Sequence, residues 1–204
     1  MRNGNYIKVC GMTEGKNIRA VEALGADFIG MIFYPASPRK VVGIPDYLPE
    51  TAARVGVFVN ASEAEILEKV VAYGLDLVQL HGDESPEFCS RLDRRGVGVI
   101  KAFSVSSESD LARTSAYEGL CRYYLFDTPT AGRGGSGKRF DWSLLHAYSG
   151  KTPFLLSGGI GPESAAALSE FSHPMLAGYD LNSRFESEPG VKDVALLGQF
   201  LYKI

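Results

Sequence analysis

The chain has 204 residues, 45% of them hydrophobic and 22% charged, and its formal net charge is −3. This length fits one globular domain over residues 1–204 with a substantial core, and the slightly acidic balance excludes a basic surface for nucleic acid. No apolar run is long enough to span a bilayer and the polar first residues lack a signal-peptide core, so we expect a cytoplasmic protein without a membrane partner.

Eight short runs rich in Val, Ile, Leu and Phe recur along the chain, and their nearly continuous hydrophobicity predicts parallel strands buried on both faces. The predicted strands are residues 6–10, 28–33, 55–59, 75–80, 97–103, 123–126, 153–156 and 175–179. Segments with helical spacing lie between or after them, at residues 17–24, 62–73, 86–95, 107–117, 142–148, 162–170 and 191–202. Ser62 and Ser85 suit N-caps, and Pro86 and Pro162 suit first turns.

Two of the helical segments are predicted to be short. Residues 43–53 contain Pro45 and Pro49, so the second unit supports only a short helix. The sixth helical segment, residues 142–148, is brief as well. No linker or low-complexity tract divides the chain, which favours a single domain.

The position of the glycines distinguishes a closed barrel from an open sheet. A dinucleotide-binding sheet carries its glycine fingerprint after the first strand, but here the glycines cluster after the last three strands. Phosphate sites after strands seven and eight are typical of (β/α)₈ barrels. We therefore predict an α/β fold, a single-domain (β/α)₈ TIM barrel with eight parallel strands, whose active site lies at the carboxyl ends of the strands.

A small set of reactive side chains ends or follows the predicted strands. It comprises Cys10, Arg39, His81, Asp127, Ser157 and Asp180. The three cysteines show no disulfide framework, and no Cys-x-x-Cys or His-x-x-His pair suggests zinc, so no metal site is predicted. Cys89 and Cys121 are expected to be packing residues.

Several motifs, in order along nearly the whole chain, resemble the phosphoribosylanthranilate isomerase family. They are Lys8-Val9-Cys10-Gly11-Met12-Thr13, Ser37-Pro38-Arg39, Gln79-Leu80-His81-Gly82, Phe126-Asp127-Thr128 and Gly134-Gly135-Ser136-Gly137. The resemblance implies an intramolecular oxidoreductase of tryptophan biosynthesis, an aldose–ketose isomerase that needs neither cofactor nor metal. Its Amadori rearrangement turns N-(5′-phosphoribosyl)anthranilate into 1-(2-carboxyphenylamino)-1-deoxyribulose 5-phosphate.

The resemblance also implies catalytic roles for two residues. The family's general acid, which opens the sugar ring, matches Asp127, and its general base matches Cys10. Asp127 must keep its proton and Cys10 must lose its own, so we expect neighbouring charges to push the two pKa values apart. A cation or backbone dipoles beside Cys10 would favour its thiolate.

The predicted substrate-binding residues follow from the resemblance and from the glycine-rich loops. The family's arginine for the anthranilate carboxylate matches Arg39, and its guanidinium suits that partner. The full set is Arg39, Gly135, Ser136, Gly158, Gly159, Asp180, Asn182 and Ser183, with the loop 134–137 expected to close over the substrate. Arg184 departs from the family, which more often has glycine there, and could place a cation near the phosphate.

Two alternative functions remain open from the sequence. One is another phosphate-binding barrel enzyme, such as indoleglycerol-phosphate synthase, although those chemistries usually need a Lys or Glu pair at strand ends. The other is a non-catalytic barrel that binds a phosphorylated ligand. His81 is as well explained by a structural role as by substrate contact. The expected partner is a small phosphorylated substrate, and the chain is expected to be a monomer or homodimer.

Overall fold

The computed structural model describes residues 4–128 and 141–204. Eight parallel strands form a closed barrel in which each strand pairs with its neighbours in chain order and the first pairs with the last. They are β1 (Tyr6–Cys10), β2 (Phe28–Ile32), β3 (Ala53–Phe58), β4 (Leu77–Leu80), β5 (Gly98–Ser104), β6 (Tyr123–Asp127), β7 (Phe154–Leu156) and β8 (Leu176–Leu181). The predicted parallel barrel is confirmed, with each strand within a few residues of its expected place.

The helices surround the barrel. The α-helices are α1 (Gly15–Ala23), α2 (Glu63–Tyr73), α3 (Pro86–Arg94), α4 (Ala165–Glu170) and α5 (Val194–Leu201). Short 3₁₀ helices cover Glu108–Tyr117, Trp142–Ala147, Pro162–Ser164 and Ser183–Phe185. The predicted N-caps are confirmed, since the hydroxyls of Ser62 and Ser85 accept backbone N–H groups in the first turns of α2 and α3. In the described part of the chain, no helix is long and apolar enough to span a membrane.

The segment between β2 and β3 differs from the prediction. Residues 43–52, all of them described, form bends instead of the expected short helix, because Pro45 and Pro49 lack the N–H groups that a helix requires. The Glu22 carboxylate of α1 holds this segment instead. It accepts the Tyr47 hydroxyl and a cluster of donors further along, namely the backbone N–H groups of Glu50, Thr51 and Ala52 and the Thr51 hydroxyl.

The carboxyl-terminal region also differs in one detail. The helical segment predicted from residue 191 begins only at Val194, because an antiparallel hairpin precedes it. The hairpin consists of β9 (Glu186–Glu188) and β10 (Val191–Lys192). Only Asn182 and the short 3₁₀ helix Ser183–Phe185 separate it from β8, so the hairpin lies at the end of the barrel where the strands finish.

Strand alternation sorts the side chains into two environments. In β1, Ile7 and Val9 pack in the same apolar cluster as Ile18 and Val21 of α1, so Lys8 and Cys10 face the barrel interior. The amino-terminal half of the interior is apolar and is filled by Phe28, Val55, Ile100, Ala102, Leu125 and Leu155. The carboxyl-terminal half is polar, and it contains the candidate site.

Candidate active site

The predicted site residues that the structure describes lie at one end of the barrel, where all parallel strands finish. Cys10 and Asp127 are the last residues of β1 and β6, and Asp180 lies near the end of β8. The others belong to loops that begin at this end: Arg39 after β2, Gly158 and Gly159 after β7, and Asn182 and Ser183 after β8. Gly135, Ser136 and the rest of the loop 134–137 lie outside the described residues.

Cys10 is held inside the barrel with only 3% of its surface exposed. Gly30 of β2 provides the space, because a Cβ atom there would lie 2.7 Å from the Cys10 sulfur. Burial, together with the negative charge of Asp180, raises the pKa of the Cys10 thiol, although the positive charges of Lys8 and Lys192 oppose the rise. The cation expected near Cys10 is therefore present, since Lys8 lies two residues earlier on the same strand face, but it does not outweigh burial, so the thiol is favoured over the expected thiolate in this structure.

Lys8 forms a buried ion pair across the junction of the first and last strands. It is the register partner of Asp180, and its Nζ donates to Asp180 Oδ1 at 2.7 Å. The other carboxylate oxygen accepts the Ser157 hydroxyl at 3.1 Å. Burial by itself lowers the pKa of Lys8, but the negative charges of Asp180 and Cys10 outweigh it and raise the pKa. Lys8 therefore stays an ammonium, and Asp180 serves as its counterion.

Asp127 lies across the barrel mouth from Cys10 and is close to residues that follow β4, β6 and β7. Its Oδ1 accepts the backbone N–H of Thr128 at 2.8 Å, and its Oδ2 lies 3.5 Å from His81 Nε2 after β4. Gly158 packs directly against this carboxylate, since a Cβ atom there would lie 2.9 Å from Oδ1 and 2.7 Å from the Thr128 nitrogen. Its φ of +84° lies in the left-handed region that favours glycine. The loop after β7 thus closes against the carboxyl end of β6.

Arg39 is oriented by the β9–β10 hairpin. Its guanidinium makes a two-pronged contact with Glu186, with Nε 2.8 Å from Oε1 and Nη2 2.7 Å from Oε2. Lys192 Nζ donates to the same carboxylate at 2.6 Å and to Asn182 Oδ1 at 2.9 Å. Although burial raises the pKa of Glu186, Arg39 and Lys192 outweigh this effect and lower it, so the carboxylate is ionised. The hairpin therefore connects the predicted carboxylate anchor to the predicted phosphate loop.

Gly11 allows this cluster to approach Cys10. It follows Cys10 with a φ of +78°, and a Cβ atom there would lie 2.7 Å from Arg39 Cδ and 2.8 Å from Asn182 Oδ1. Only glycine leaves this space. Arg39 and Asn182 consequently lie directly above the loop that follows the candidate base.

The expected phosphate loops are neighbours at the barrel rim. Gly158 and Gly159 have φ values of +84° and +69°, and Ser183 begins the short 3₁₀ helix after β8. Arg184 reaches across from that helix, and its Nη2 donates to Glu163 Oε1 at 2.7 Å. Because both side chains are largely exposed, this pair contributes little stability, but it places a guanidinium beside the segment that follows Gly159.

Sequence reasoning assigned no role to several polar residues of the site: Lys8, Gln79, Glu186 and Lys192. Lys8 and Gln79 could have been found from the sequence. Lys8 lies two residues before Cys10 and Gln79 two residues before His81, so each shares a strand face with a candidate site residue. Glu186 and Lys192 had none, because their contacts depend on how the hairpin folds back over the barrel. Among the described residues, no group of three or more His, Cys, Asp or Glu could hold a metal ion.

Comparison with known proteins shows which family the chain is similar to. Residues 7–203 match the sequence family described as N-(5'phosphoribosyl)anthranilate (PRA) isomerase. The chain is 54% identical over 198 residues to the N-(5'-phosphoribosyl)anthranilate isomerase of Phocaeicola vulgatus, with 97% of each chain covered.

Solved structures are similar over nearly the whole chain. The phosphoribosyl anthranilate isomerase from Thermotoga maritima has a TM-score of 0.84 at 35% identity, with 98% of each chain covered. A second structure has a TM-score of 0.81 at 32% identity and covers 98% of this chain and 97% of its own. It is phosphoribosyl anthranilate isomerase in complex with reduced 1-(o-carboxyphenylamino)-1-deoxyribulose 5-phosphate.

Proposed function

The chain belongs to the N-(5′-phosphoribosyl)anthranilate isomerase family, and from that premise we propose that it catalyses the Amadori rearrangement of N-(5′-phosphoribosyl)anthranilate in tryptophan biosynthesis. The observation that carries the proposal is the placement of Cys10 and Asp127, the matches to the family's base and acid. They end β1 and β6 and face one barrel mouth from opposite sides.

The reaction begins with ring opening, for which Asp127 is the proposed acid. Its carboxylic proton moves to the furanose ring oxygen as the bond between that oxygen and the anomeric carbon breaks. The bonding pair goes to the oxygen, and the anthranilate nitrogen lone pair forms an iminium with the anomeric carbon. Asp127 is left as a carboxylate.

The second step is removal of a proton from the neighbouring sugar carbon, for which Cys10 is the proposed base. The thiolate takes the proton, and the C–H bonding pair forms a double bond to the anomeric carbon while the iminium electrons return to nitrogen. The resulting enolamine tautomerises to the ketone product. Lys8 supports this role because its positive charge limits the rise that burial causes in the Cys10 pKa, so the thiolate that the step needs forms more readily than it would without Lys8.

Substrate binding is proposed to use Arg39 at one end and the glycine loops at the other. Glu186 engages Nε and Nη2 of Arg39, so we expect the outer nitrogen Nη1 to meet the anthranilate carboxylate. Gly158, Gly159, Asn182 and Ser183 are proposed to surround the phosphate. Arg184 is proposed to add a cation beside the phosphate once its guanidinium leaves Glu163. If inorganic phosphate inhibits Arg184→Ala as strongly as the parent protein, this role of Arg184 is refuted.

The roles of the other predicted substrate-binding residues are proposals as well. Asp180 is fully engaged by Lys8 and Ser157, so its support for substrate binding is indirect, through Lys8 and Cys10. Gly135 and Ser136 are proposed to cover the substrate. The cytoplasmic location and the choice between monomer and homodimer stay predictions as well.

The contacts of the two barrel-strand lysines argue against a different phosphate-binding barrel enzyme. Lys101, the other lysine of the eight barrel strands, points away from the barrel interior and donates to Glu84 and to the carbonyls of Leu80, Gly82 and Ala102. Lys8 is neutralised by Asp180. Neither lysine is therefore available for the lysine-based chemistry of the alternative phosphate-binding barrels.

The test is turnover of freshly prepared N-(5′-phosphoribosyl)anthranilate by the purified protein. Turnover is monitored as the loss of the substrate's fluorescence. Asp127→Asn, which keeps the shape of the side chain and removes the acid, is the matched control. Turnover that disappears in this variant supports both the reaction and the acid. A parent protein without turnover would refute the proposed function.

A further inference from the structure

His81 lies beside the proposed acid, directly after the end of β4, which β5 separates from β6 in the barrel. Its Nε2 is 3.5 Å from Oδ2 of Asp127, and both side chains are largely shielded from solvent. The other oxygen of Asp127 already accepts the Thr128 N–H. Among the described residues, His81 is therefore the side chain that faces the second carboxylate oxygen of Asp127.

The neighbour on the far side of the imidazole determines which ring nitrogen carries the proton. Gln79 lies two residues earlier on β4, and since Val78 and Leu80 pack outward against the helices, Gln79 and His81 share the interior face. The Gln79 amide nitrogen lies 2.9 Å from His81 Nδ1. An amide N–H can only donate, so Nδ1 accepts, and the proton of the neutral ring lies on Nε2, the nitrogen that is 3.5 Å from Asp127 Oδ2.

The backbone around His81 is also fixed. Its N–H donates to the Phe58 carbonyl at 2.8 Å, and the next N–H, that of Gly82, donates to Glu84 at 2.9 Å. Glu84 is buried and paired with Lys101 at 3.2 Å. The loop after β4 is thus held by the strands on either side of it, and the imidazole is presented to Asp127 from a rigid base.

Gln79 is an unusual residue for a barrel interior. It is 1% exposed, and its amide oxygen has no hydrogen-bond partner among the described residues. A buried amide with one unsatisfied atom costs stability, so an apolar residue would suit the fold better. Within the described ranges, the one hydrogen bond of this amide is the contact with Nδ1 that sets the His81 tautomer.

We propose that His81 is a positioning residue for the acid and that Gln79 selects its tautomer. When Asp127 gives its proton to the ring oxygen of the substrate, the new carboxylate charge is stabilised by the Nε2–H of a neutral His81. No proton leaves His81 in this step, and the present separation of 3.5 Å between Nε2 and Oδ2 shortens to a hydrogen bond as charge develops on Oδ2. This inference rests on the proposed assignment of Asp127 as the acid.

The kinetic test compares two replacements of His81. His81→Leu removes the donor, and we expect kcat to fall about 10- to 100-fold with little change in KM, the range for a hydrogen bond to a charged group. His81→Gln keeps an N–H near the Nε2 position and is expected to recover most of kcat. Equal losses in both variants, or a normal kcat in His81→Leu, would overturn the proposal.

A spectroscopic test reports on Gln79 without relying on activity. The chain has three histidines, so ¹⁵N spectra of histidine-labelled protein are simple, and His81→Gln identifies the His81 signals. We expect the Nε2–H tautomer in the parent protein and a tautomer mixture in Gln79→Met. An Nδ1–H tautomer in the parent would overturn the role of Gln79.

The Asp127→Asn background separates failure of this inference from failure of the proposed function. In that background His81→Leu should cause no further loss, because the charge that His81 stabilises never forms. A parent protein without turnover would overturn the proposed function and this role together. An active parent in which the two substitutions act independently would overturn only the role of His81.

Discussion

Lys8 and Asp180 are register partners on the first and last strands, and their side chains form an ion pair of 2.7 Å inside the barrel. The pair lies where the barrel closes, and Lys8 precedes Cys10 by two residues on the same strand face, so its positive charge opposes the rise that burial causes in the Cys10 pKa. One side-chain contact therefore links the first and last strands to the charge that acts on the proposed base.

Replacing Lys8 should destabilise the protein strongly. Lys8→Met leaves the buried Asp180 carboxylate without its counterion, which typically costs about 3–5 kcal/mol of unfolding free energy. Urea denaturation measures the loss. Lys8→Met combined with Asp180→Leu should recover most of it, because no uncompensated charge remains. A double variant no more stable than Lys8→Met alone would contradict this explanation.

The proposed acid and base should be essential for turnover and dispensable for folding. Cys10→Ala and Asp127→Asn are each expected to reduce kcat by about 10²- to 10⁴-fold, the usual contribution of a general acid or base. Cys121→Ala is the matched control, since this thiol is free but lies outside the barrel interior. Circular dichroism and thermal melting check the folds. A Cys10→Ala protein with near-normal kcat would remove the base assignment.

Much of this barrel was predictable from sequence because its strands are short, apolar and buried on both faces. The second unit was not, since a short helix was expected despite Pro45 and Pro49, whereas contacts with the distant Glu22 carboxylate hold the chain in bends there. The last helix began later than predicted because residues 191–192 pair with β9, a contact without local signal.

The residues of the candidate active site were likewise predictable only in part. Cys10, Asp127 and Arg39 could be selected from short motifs at strand ends. Their partners could not, because Glu186 reaches Arg39 across 147 positions of sequence and Asp180 reaches Lys8 across 172. Such contacts depend on barrel closure and hairpin docking, which only the folded chain specifies.

Arg39 should act mainly on binding. Arg39→Ala is expected to raise KM about tenfold or more and to change kcat little, since the substrate carboxylate is remote from the bonds that change. Arg39→Lys should rescue poorly, because an ammonium cannot reproduce the paired contact with Glu186. Steady-state kinetics distinguish the outcomes. A fall in kcat with unchanged KM would contradict a binding role.

Glu22 should make the stability depend on pH. Burial raises the pKa of this carboxyl, but the hydrogen bonds from Tyr47, Ala52 and Thr51 outweigh it and lower the pKa from 4.5 to about 2. A lowered pKa stabilises the fold above pH 4.5, and this contribution is lost as the pH falls toward 2. Glu22→Gln is therefore expected to cost about 2 kcal/mol at pH 7 and progressively less below pH 4.

Urea denaturation of the parent protein and of Glu22→Gln at several pH values measures this difference. Glu14→Gln is a suitable control, because it removes a carboxylate next to the same helix without touching the loop before β3. A Glu22→Gln deficit that stays constant down to pH 2.5 would show that the contacts of Glu22 act through shape and not through charge.

Gly158→Ala should lower kcat by more than its loss of stability explains. Gly158→Ala must adopt a positive φ, and its Cβ would also lie 2.9 Å from Asp127 Oδ1, so the carboxylate has to move. Gly119→Ala is a matched control, because Gly119 has a φ of +76° and nothing within 4 Å of the added Cβ. Both variants should lose about 1 kcal/mol or somewhat more from backbone strain. Only Gly158→Ala should lose kcat, by about tenfold or more, since a small displacement of an acid costs that much. Equal kcat values in the two variants would show that the loop after β7 does not position Asp127.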